Sequence, residues 1–348
     1  MNTNPATSEE FEIAGVIIPK GSRKHIEIKV GCLFDQTDMT IPVEVIRGCE
    51  DGPTLFVSAA IHGDEINGVG VIQRLLSSKI LSPKNIKGTL IAIPIVNVFG
   101  FNHNSRYLPD RRDLNRCFPG SKDGSLGARV ANIFMEEIVN KSTHGIDLHT
   151  GAIHRTNLPQ IRACLDNPIT KELAYSFGVP VVINSSIRDG SLRQAAMEKG
   201  IPMLLFEGGE ALRYEEKVIQ SALFGVISIM ESIRMIPLRK QKKIKKLQEV
   251  FIAKSSHWVR APISGILHVT KNCGMHVKEG DLLGELSDPF GKNRIKIHSS
   301  KNGIIIGMSM LPLVNNGDAL FNIATFDDVE SVKEQIGIYD DYLCELEN

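Results

Sequence analysis

Short apolar segments alternate with longer amphipathic segments through the central part of the chain. The apolar segments predict buried strands over residues 54–61, 88–96, 145–149, 179–184 and 202–207. Apolar positions at helical spacing predict helices over residues 65–77, 124–140, 169–177, 191–199 and 215–235. This alternation is typical of an α/β domain with a largely parallel central sheet flanked by helices, and in such sheets the functional site lies at the carboxyl ends of the strands.

The two ends of the chain have other patterns. Strands that edge or extend the sheet are predicted by alternating segments at residues 11–18, 25–30 and 39–46. Residues 250–326 combine short strands with frequent glycine, which predicts an all-β module. No role is assigned to the acidic tail, residues 327–348.

A basic run at residues 239–246 separates the predicted α/β domain from the predicted all-β module. It is either a patch for nucleic acid or an anionic surface, or a solvated linker, and we favour the linker. The predicted organisation is then a catalytic domain with its N-terminal strands, a basic linker and a β-rich domain with an acidic tail, at residues 1–238, 239–249 and 250–348.

The β-rich part resembles the barrel-sandwich hybrid fold of biotinyl and lipoyl domains. The residues that carry this resemblance lie at 260–267 and 274–284, and the second segment is echoed at 314–321. Those domains attach their cofactor to a lysine that is typically flanked by methionine. Lys296 occupies the corresponding region without methionine neighbours, so we expect neither biotin nor lipoate to be attached.

Composition narrows the classes of partner. The chain has 348 residues, is 42% hydrophobic and balances 40 basic against 40 acidic residues. This neutral balance gives no reason to expect a nucleic acid or an anionic membrane as partner. No secretory signal and no apolar run of the ~20 residues that a membrane span needs is visible. We expect a cytoplasmic protein with reduced cysteines and a small-molecule substrate; a nucleophilic Cys117 is the less favoured alternative. Whether the protein is a homo-oligomer stays open.

Candidate metal ligands follow two of the predicted strands. His62 and Glu65 come directly after the strand 54–61, and His149 ends the strand 145–149. Two imidazoles and a carboxylate are the ligands of a His₂Glu zinc site, which leaves a fourth position open. The sequence therefore predicts one Zn²⁺ per chain. Asp64 is either a partner of a ligand histidine or an exposed turn residue.

Four motifs in order resemble one enzyme family. They are His-Gly-Asp-Glu at 62–65, Asp-Leu-Asn-Arg-Cys-Phe-Pro-Gly at 113–120, Asp-Leu-His-Thr at 147–150 and Phe-Glu-Gly-Gly at 206–209. The chain resembles the succinylglutamate desuccinylase/aspartoacylase family, within the carboxypeptidase A clan of zinc hydrolases. The resemblance implies a zinc-carboxypeptidase-like mixed sheet, a C-terminal barrel-sandwich-like domain, and zinc held by His62, Glu65 and His149.

The same resemblance implies catalytic roles for two further residues. Glu207 would be the general base; it is preferred over Glu210 because it directly follows an apolar strand. Arg106 would stabilise the tetrahedral oxyanion. Arg111 and Arg112 compete for that role, and the choice among the three arginines stays open.

Substrate binding is assigned to neighbouring polar residues. Asn115 and Arg116 would hold a substrate carboxylate, since arginine offers it a bidentate fork and asparagine adds neutral donors. The remaining histidines near the motifs, His103, His144 and His154, do not follow apolar strands in matching motifs. We expect them not to be metal ligands, although His154 can still contribute to substrate binding.

The predicted activity is hydrolysis of the amide bond of a small N-acyl amino acid or related derivative by metal-activated water. The acyl group and the amino acid stay open. We expect the β-rich module to pack near the mouth of the site and to restrict it to small substrates. Two alternatives remain, a metallocarboxypeptidase that acts on short peptides and a non-catalytic metal-binding protein that uses the module as a docking surface.

Overall fold

The computed structural model describes residues 10–185, 189–238 and 249–346. Most of the predicted linker lies outside these residues, so the predicted domain boundaries stay predictions. The strands are β1 Glu12–Ile13, β2 Val16–Ile17, β3 Ser22–Cys32, β4 Asp38–Arg47, β5 Glu50–Ala59, β6 Lys87–Ile93, β7 His144–Gly151, β8 Arg155–Ala163, β9 Val181–Asn184, β10 Met203–Glu210, β11 Phe251–Ala253, β12 Ser255–Arg260, β13 Gly265–Val269, β14 His276–Val277, β15 Leu282–Ser287, β16 Ile295–His298, β17 Gly303–Ser309, β18 Leu313–Val314 and β19 Ala319–Thr325. The helices are α1 Asn67–Ser77, α2 Val98–Asn102, α3 Leu126–Glu137, α4 Pro168–Phe177, α5 Leu192–Glu198, α6 Glu216–Ser232 and α7 Val329–Leu346.

Four parallel strands form the centre of a large mixed sheet, in the order β6, β5, β7 and β10. Strand β4 pairs antiparallel with β6 on one side, and β3 pairs antiparallel with β4 at that edge. Strand β8 pairs antiparallel with β10 on the other side. The sheet is therefore mixed, as predicted, and its parallel part is confined to the centre and to the β8–β9–β11 branch.

The helices cover both faces of this sheet. Helices α1, α4 and α6 pack over one face through buried residues that include Ile72, Leu173 and Ile229. Helices α3 and α5 pack over the other face, where Phe134 stacks edge-on against Phe56 of β5. The predicted helices are found with ends shifted by up to three residues; serine or asparagine side chains cap the N-termini of α3, α4 and α5.

Two strand predictions need correction. Residues 11–18 do not edge the main sheet but fold into a separate two-stranded sheet, β1 and β2. The strand predicted to run to residue 61 ends at Ala59, so His62 lies in the turn after the strand. Ala60 has a left-handed φ of 50°, which interrupts the extended backbone there.

Strand β8 has no counterpart among the predictions. Its sequence is polar and contains Pro159, which argues against an interior strand because proline cannot donate to the ladder. The proline falls between two pairing partners: the first part of β8 pairs with β17 and the last part with β9. The chain accommodates a proline here because the neighbouring strand changes at that point.

The C-terminal all-β domain is present. Strands β12, β19, β17 and β14 continue the main sheet beyond β8, and β16, β15, β13 and β18 form a second, four-stranded sheet. Side chains from both sheets, including Leu283, Leu320 and Phe321, make a separate apolar core. Lys296 is exposed on β16 itself and not in the turn between β15 and β16.

The acidic tail, to which no role was assigned, forms α7. Tyr339 and Leu343 of this helix are buried in the core beneath α6, and the Tyr339 hydroxyl lies 2.6 Å from Ser221 Oγ of α6. Ile336 packs in a cluster with Val181 of β9 and Ile304 of β17. Helix α7 therefore packs against both parts of the protein. Among the described residues, no helix has the length and apolarity needed to cross a membrane.

Candidate active site

The turn after β5 brings His62 and Glu65 together. The Glu65 N–H donates to the His62 carbonyl at 3.1 Å, which closes the turn. Gly63 packs directly against the backbone of α2: a Cβ at this position would lie 2.1 Å from the Gly100 carbonyl carbon. The motif needs glycine here because any side chain would separate the turn from α2.

His149 of β7 completes a buried cluster. Ligand atoms of His62, Glu65 and His149 all lie within 4.8 Å of one another. His62 Nδ1 is 2.7 Å from Glu65 Oε1, and His149 Nδ1 is 2.8 Å from Glu65 Oε2. Each of the three residues is at most 4% exposed. The donor set fits a His₂Glu metal site, in which two Nδ1 atoms and one carboxylate converge on one point.

A second carboxylate lies behind each imidazole. His62 Nε2 is 3.1 Å from Asp113 Oδ1, and His149 Nε2 is 2.6 Å from Asp147 Oδ2. Ser58 Oγ donates in turn to Asp147 Oδ1 at 2.7 Å. Such partners fix the orientation of ligand histidines and raise their basicity. Asp113 and Asp147 lie inside two of the four motifs, but no role was predicted for them.

The charges of this network perturb its groups strongly. Burial acts to raise the pKa of Glu65, but the adjacent His62 and His149 outweigh it and hold that pKa below its ordinary value. Burial likewise opposes ionisation of Asp113, yet His62 and Arg106 lower its pKa. For His149, burial lowers the pKa while Asp147 and Glu65 raise it, with a net rise well above the ordinary value. The cluster therefore concentrates opposite charges in a buried position, as functional sites do.

Arg106 is the arginine that joins the cluster. Its guanidinium donates to Glu65 Oε1 and to Asp113 Oδ2, each at 3.0 Å. Its competitors are elsewhere: Arg112 pairs with the neighbouring Asp110 at 3.5 Å, and Arg111 is exposed. Arg106 lines the cavity beside the cluster, whereas neither competitor does.

Glu207 lies on β10 next to His149 in the parallel register with β7. Its Oε2 accepts a hydrogen bond from Asn157 Nδ2 at 2.6 Å, and Arg162 Nε lies 3.4 Å from its Oε1. Glu207 lines the cavity. Glu210 does not; its Oε1 instead accepts from the His154 N–H at 3.1 Å.

The cavity in front of the cluster has a volume of about 550 Å³. Asn115 and Arg116 line it, and Asn115 Oδ1 accepts from the Leu192 N–H at 2.9 Å, which leaves its Nδ2 as a donor. Further lining residues had no role in the sequence interpretation: Arg155, Asn157, Arg162, Arg193, Lys254, Trp258 and Asn322. Most of these residues lie on β8 or in the C-terminal module. No local sequence pattern shows that these segments reach the site.

The other candidates are placed plainly by the structure. Asp64 is 3% exposed, so it is not an exposed turn residue, and the imidazole partners are other aspartates. His103 Nδ1 bonds the Phe99 carbonyl and His144 Nδ1 bonds a threonine hydroxyl, so both lie apart from the metal-capable cluster. Burial raises the pKa of the Cys117 thiol, which does not favour a nucleophile.

Comparisons with known proteins agree on one family. Residues 51–233 match the family described as succinylglutamate desuccinylase/aspartoacylase catalytic domain. The N-alpha-acetyl-L-2,4-diaminobutyric acid deacetylase of Halomonas elongata is 27% identical over 301 residues, covering 82% of this chain and 85% of the relative. The succinylglutamate desuccinylase of Photorhabdus laumondii is 26% identical over 54% of this chain and 65% of its own.

Solved structures share the fold. A succinylglutamate desuccinylase/aspartoacylase from Rhodobacter sphaeroides superposes with a TM-score of 0.79 at 21% identity. The superposition covers 89% of this chain and 98% of that one. It therefore includes the C-terminal β-rich part as well as the catalytic sheet.

Proposed function

Because this chain belongs to the succinylglutamate desuccinylase/aspartoacylase family, we propose that it is a zinc-dependent amidohydrolase that removes the acyl group from a small N-acyl amino acid or a related derivative. The observation that carries this proposal is the buried cluster of His62, Glu65 and His149, which opens onto a cavity lined by Glu207 and Arg106. A family of deacylases and a site built for metal-assisted hydrolysis support the same reaction class.

His62, Glu65 and His149 would hold the metal. Their chemistry suits zinc, since neutral imidazoles and a carboxylate are its usual catalytic ligands. When bound, zinc supplies Lewis acidity that polarises the amide carbonyl and makes water a better nucleophile at neutral pH. Asp113 and Asp147 would keep the two imidazoles oriented, with each Nε2 turned away from the ligand position.

Glu207 would transfer the proton. Its Oε2 is occupied by the hydrogen bond from Asn157, while in the described part of the chain Oε1 accepts no hydrogen bond and faces Arg162 at 3.4 Å. Oε1 is therefore the atom that takes the proton from the attacking water and returns it to the leaving amine. Arg106, already beside Glu65, would donate to the oxygen that becomes negative in the transition state.

Asn115 and Arg116 would hold the substrate carboxylate at the cavity wall. The Asn115 amide is fixed through its Oδ1, which leaves its Nδ2 as a donor for the substrate carboxylate. The C-terminal module also contributes to the cavity wall, since Lys254, Trp258 and Asn322 line it. A wall built from both parts of the protein favours small acylated amino acids over peptides, which need an open cleft.

Metal analysis coupled to turnover tests the proposal. The panel comprises N-acetyl and N-succinyl amino acids with short peptides, and the variants are His149→Ala and Glu207→Gln. We expect about one zinc per chain in the native protein and release of free amine from an acylated amino acid. His149→Ala should lose metal and activity, while Glu207→Gln should keep metal and lose activity by ~10³-fold or more, because the proton acceptor is gone.

Other outcomes point to the alternatives. Faster cleavage of peptides than of acylated amino acids would identify a metallocarboxypeptidase. A protein that holds stoichiometric zinc but hydrolyses nothing in the panel would be a metal-binding protein. A native protein that binds no divalent metal would overturn the zinc site.

A further inference from the structure

Strand β8 is one of the contacts between the catalytic sheet and the C-terminal module, and Asn157 lies in the part of it that pairs with the module. On one side Asn157 is paired with Gly209 of β10. On the other side it is paired with Gly307 of β17, which belongs to the module. The Asn157 side chain is thus flanked by a strand that carries Glu207 and by a strand of the other domain.

The Asn157 amide is bonded to Glu207. Its Nδ2 donates to Glu207 Oε2 at 2.6 Å. A carboxylate can only accept, so the nitrogen and not the oxygen of the amide must face it. This bond to a charged acceptor limits how the Glu207 carboxylate can rotate, and it leaves Oε1 turned toward Arg162.

Gly307 provides the space that the amide occupies. A Cβ at Gly307 would lie 2.6 Å from Asn157 Oδ1, and its next neighbours, Thr156 O and Asn322 Cβ, are at 3.4 and 3.7 Å. The close contact is therefore with the asparagine amide. Strand β17 also has an irregular register between Ile305 and Gly307 against β19. Such bulges re-aim a strand next to functional sites.

We propose that Asn157 is a positioning residue for Glu207, and that Gly307 of the C-terminal module sets the position of Asn157. The module then acts on the chemical step as well as on substrate access, although none of its residues in this chain of contacts touches substrate. The inference rests on the proposed function, in which Glu207 is the base.

Kinetics of Asn157→Asp, measured with the zinc-loaded full-length enzyme, test the first contact. The substitution keeps the shape of the side chain, removes its N–H donor and places a second carboxylate against Glu207 Oε2. We expect kcat to fall by at least about 10-fold, because the loss of a hydrogen bond to a charged group and the repulsion between the two carboxylates act in the same direction, with KM changed less than about twofold and zinc content unchanged. A rise in KM with kcat intact would make Asn157 a substrate contact and overturn the proposal.

A double-variant cycle tests the second contact. Gly307→Ala should lower kcat in the native background, because its Cβ displaces the Asn157 amide. In an Asn157→Ala background the amide is absent, so Gly307→Ala should lower kcat by a further factor of less than about two. Equal losses in both backgrounds would refute a link through Asn157. Gly337→Ala is the matched control, because a Cβ at Gly337 would meet no atom of the described residues within 4 Å.

Folding failure is also informative. If Gly307→Ala alone is insoluble, the proposal requires that Asn157→Ala restores a folded, zinc-loaded protein, and an insoluble double variant refutes it. Glu207→Gln separates the two levels. If Glu207→Gln stays active, Glu207 is not the base, and the inference loses its premise while amide hydrolysis itself stands. If Glu207→Gln is inactive but Asn157→Asp and Gly307→Ala have native kcat, only the positioning role is refuted.

Discussion

One wall of the cavity consists of His62, Glu65 and His149 with Asp113 and Asp147 behind them, and we name it the strand-end wall. A second wall consists of Lys254, Ser255, Ser256, Trp258 and Asn322, and we name it the module wall. On the strand-end wall the imidazoles and carboxylates are buried and bonded to one another. On the module wall Lys254, Ser255 and Ser256 are exposed, and the buried Asn322 Oδ1 has no hydrogen-bond partner among the residues that the structure describes.

The two walls therefore suit two different requirements of an enzyme, fixed catalytic geometry and adaptable substrate binding. A fully bonded network holds its groups in one geometry, which suits metal binding and catalysis. Exposed polar side chains on the module wall can rearrange around a ligand at little cost, which suits substrate recognition. We therefore expect substitutions on the strand-end wall to abolish metal binding or kcat, and those on the module wall to change KM.

The largest effect is expected for Glu65→Gln. This carboxylate bridges both imidazoles and accepts from Arg106. The substitution removes a proposed metal ligand and leaves the positive charge of the network uncompensated, so zinc should be lost. Turnover should fall by ~10³-fold or more, because a metal contributes several kcal/mol to transition-state stabilisation. Metal content and kcat on the preferred substrate measure both.

A matched control exists at the surface. Glu44 also contacts an arginine and a histidine, Arg23 and His25, but it lies on the β3–β4 hairpin outside the cavity. Glu44→Gln should leave zinc content and kcat unchanged. Equal losses in both variants would mean that the effect of Glu65→Gln is a general loss of folding.

Asp147→Asn should have the next largest effect. The substitution keeps the shape of the side chain but replaces the carboxylate that holds His149 Nε2 at 2.6 Å. Outer partners of this kind are typically worth ~10- to 100-fold in metal affinity or activity. Zinc affinity from competition with a chelator checks the prediction. Ser58→Ala, one bond further out, should have a smaller effect, and an equal or larger one would contradict the layered arrangement.

The strand-end wall was largely predictable from sequence, and the module wall was not. His62, Glu65 and His149 follow or end apolar segments, and strand ends of a parallel sheet meet at one edge. The sequence immediately around each of these residues is therefore enough to predict where it lies. The partners Asp113 and Asp147 were not assigned because their roles depend on which imidazole nitrogen faces the metal, and the sequence carries no signal for that.

Residues of the module wall reach the cavity through pairing between distant segments. Trp258 and Asn322 arrive because β12 and β19 continue the main sheet beyond β17 and β8. Strand β8, which joins the two domains, has a polar sequence with Pro159, so the central link was itself missed. Helix α7 was missed because the acidic residues on its exposed face drew attention away from the apolar residues between them, which face the core.

A third prediction concerns the attachment of the C-terminal tail to the catalytic domain. Tyr339→Phe removes the hydroxyl that lies 2.6 Å from Ser221 Oγ in the core between α6 and α7. Leaving the serine hydroxyl buried without a partner should cost ~1–3 kcal/mol of unfolding free energy. Chemical denaturation measures this. The double variant Tyr339→Phe/Ser221→Ala should recover part of the loss, and kcat should stay native, because this contact lies outside both walls.

The smallest effect is expected for Trp258→Ala on the module wall. The Trp258 ring lies 5.5 Å from the Arg155 guanidinium, and both residues line the cavity. A partly exposed cation–π contact contributes ~0.5–1 kcal/mol, so its loss should raise KM by about two- to fivefold. The proposed link from the module to Glu207 passes through Gly307 and Asn157 and not through this ring, so kcat should be unchanged. Trp258→Phe keeps an aromatic face and should show a smaller rise in KM. A fall in kcat in Trp258→Ala, with zinc content intact, would show that the module wall takes part in catalysis. The strand-end wall would then not be the one that alone determines kcat.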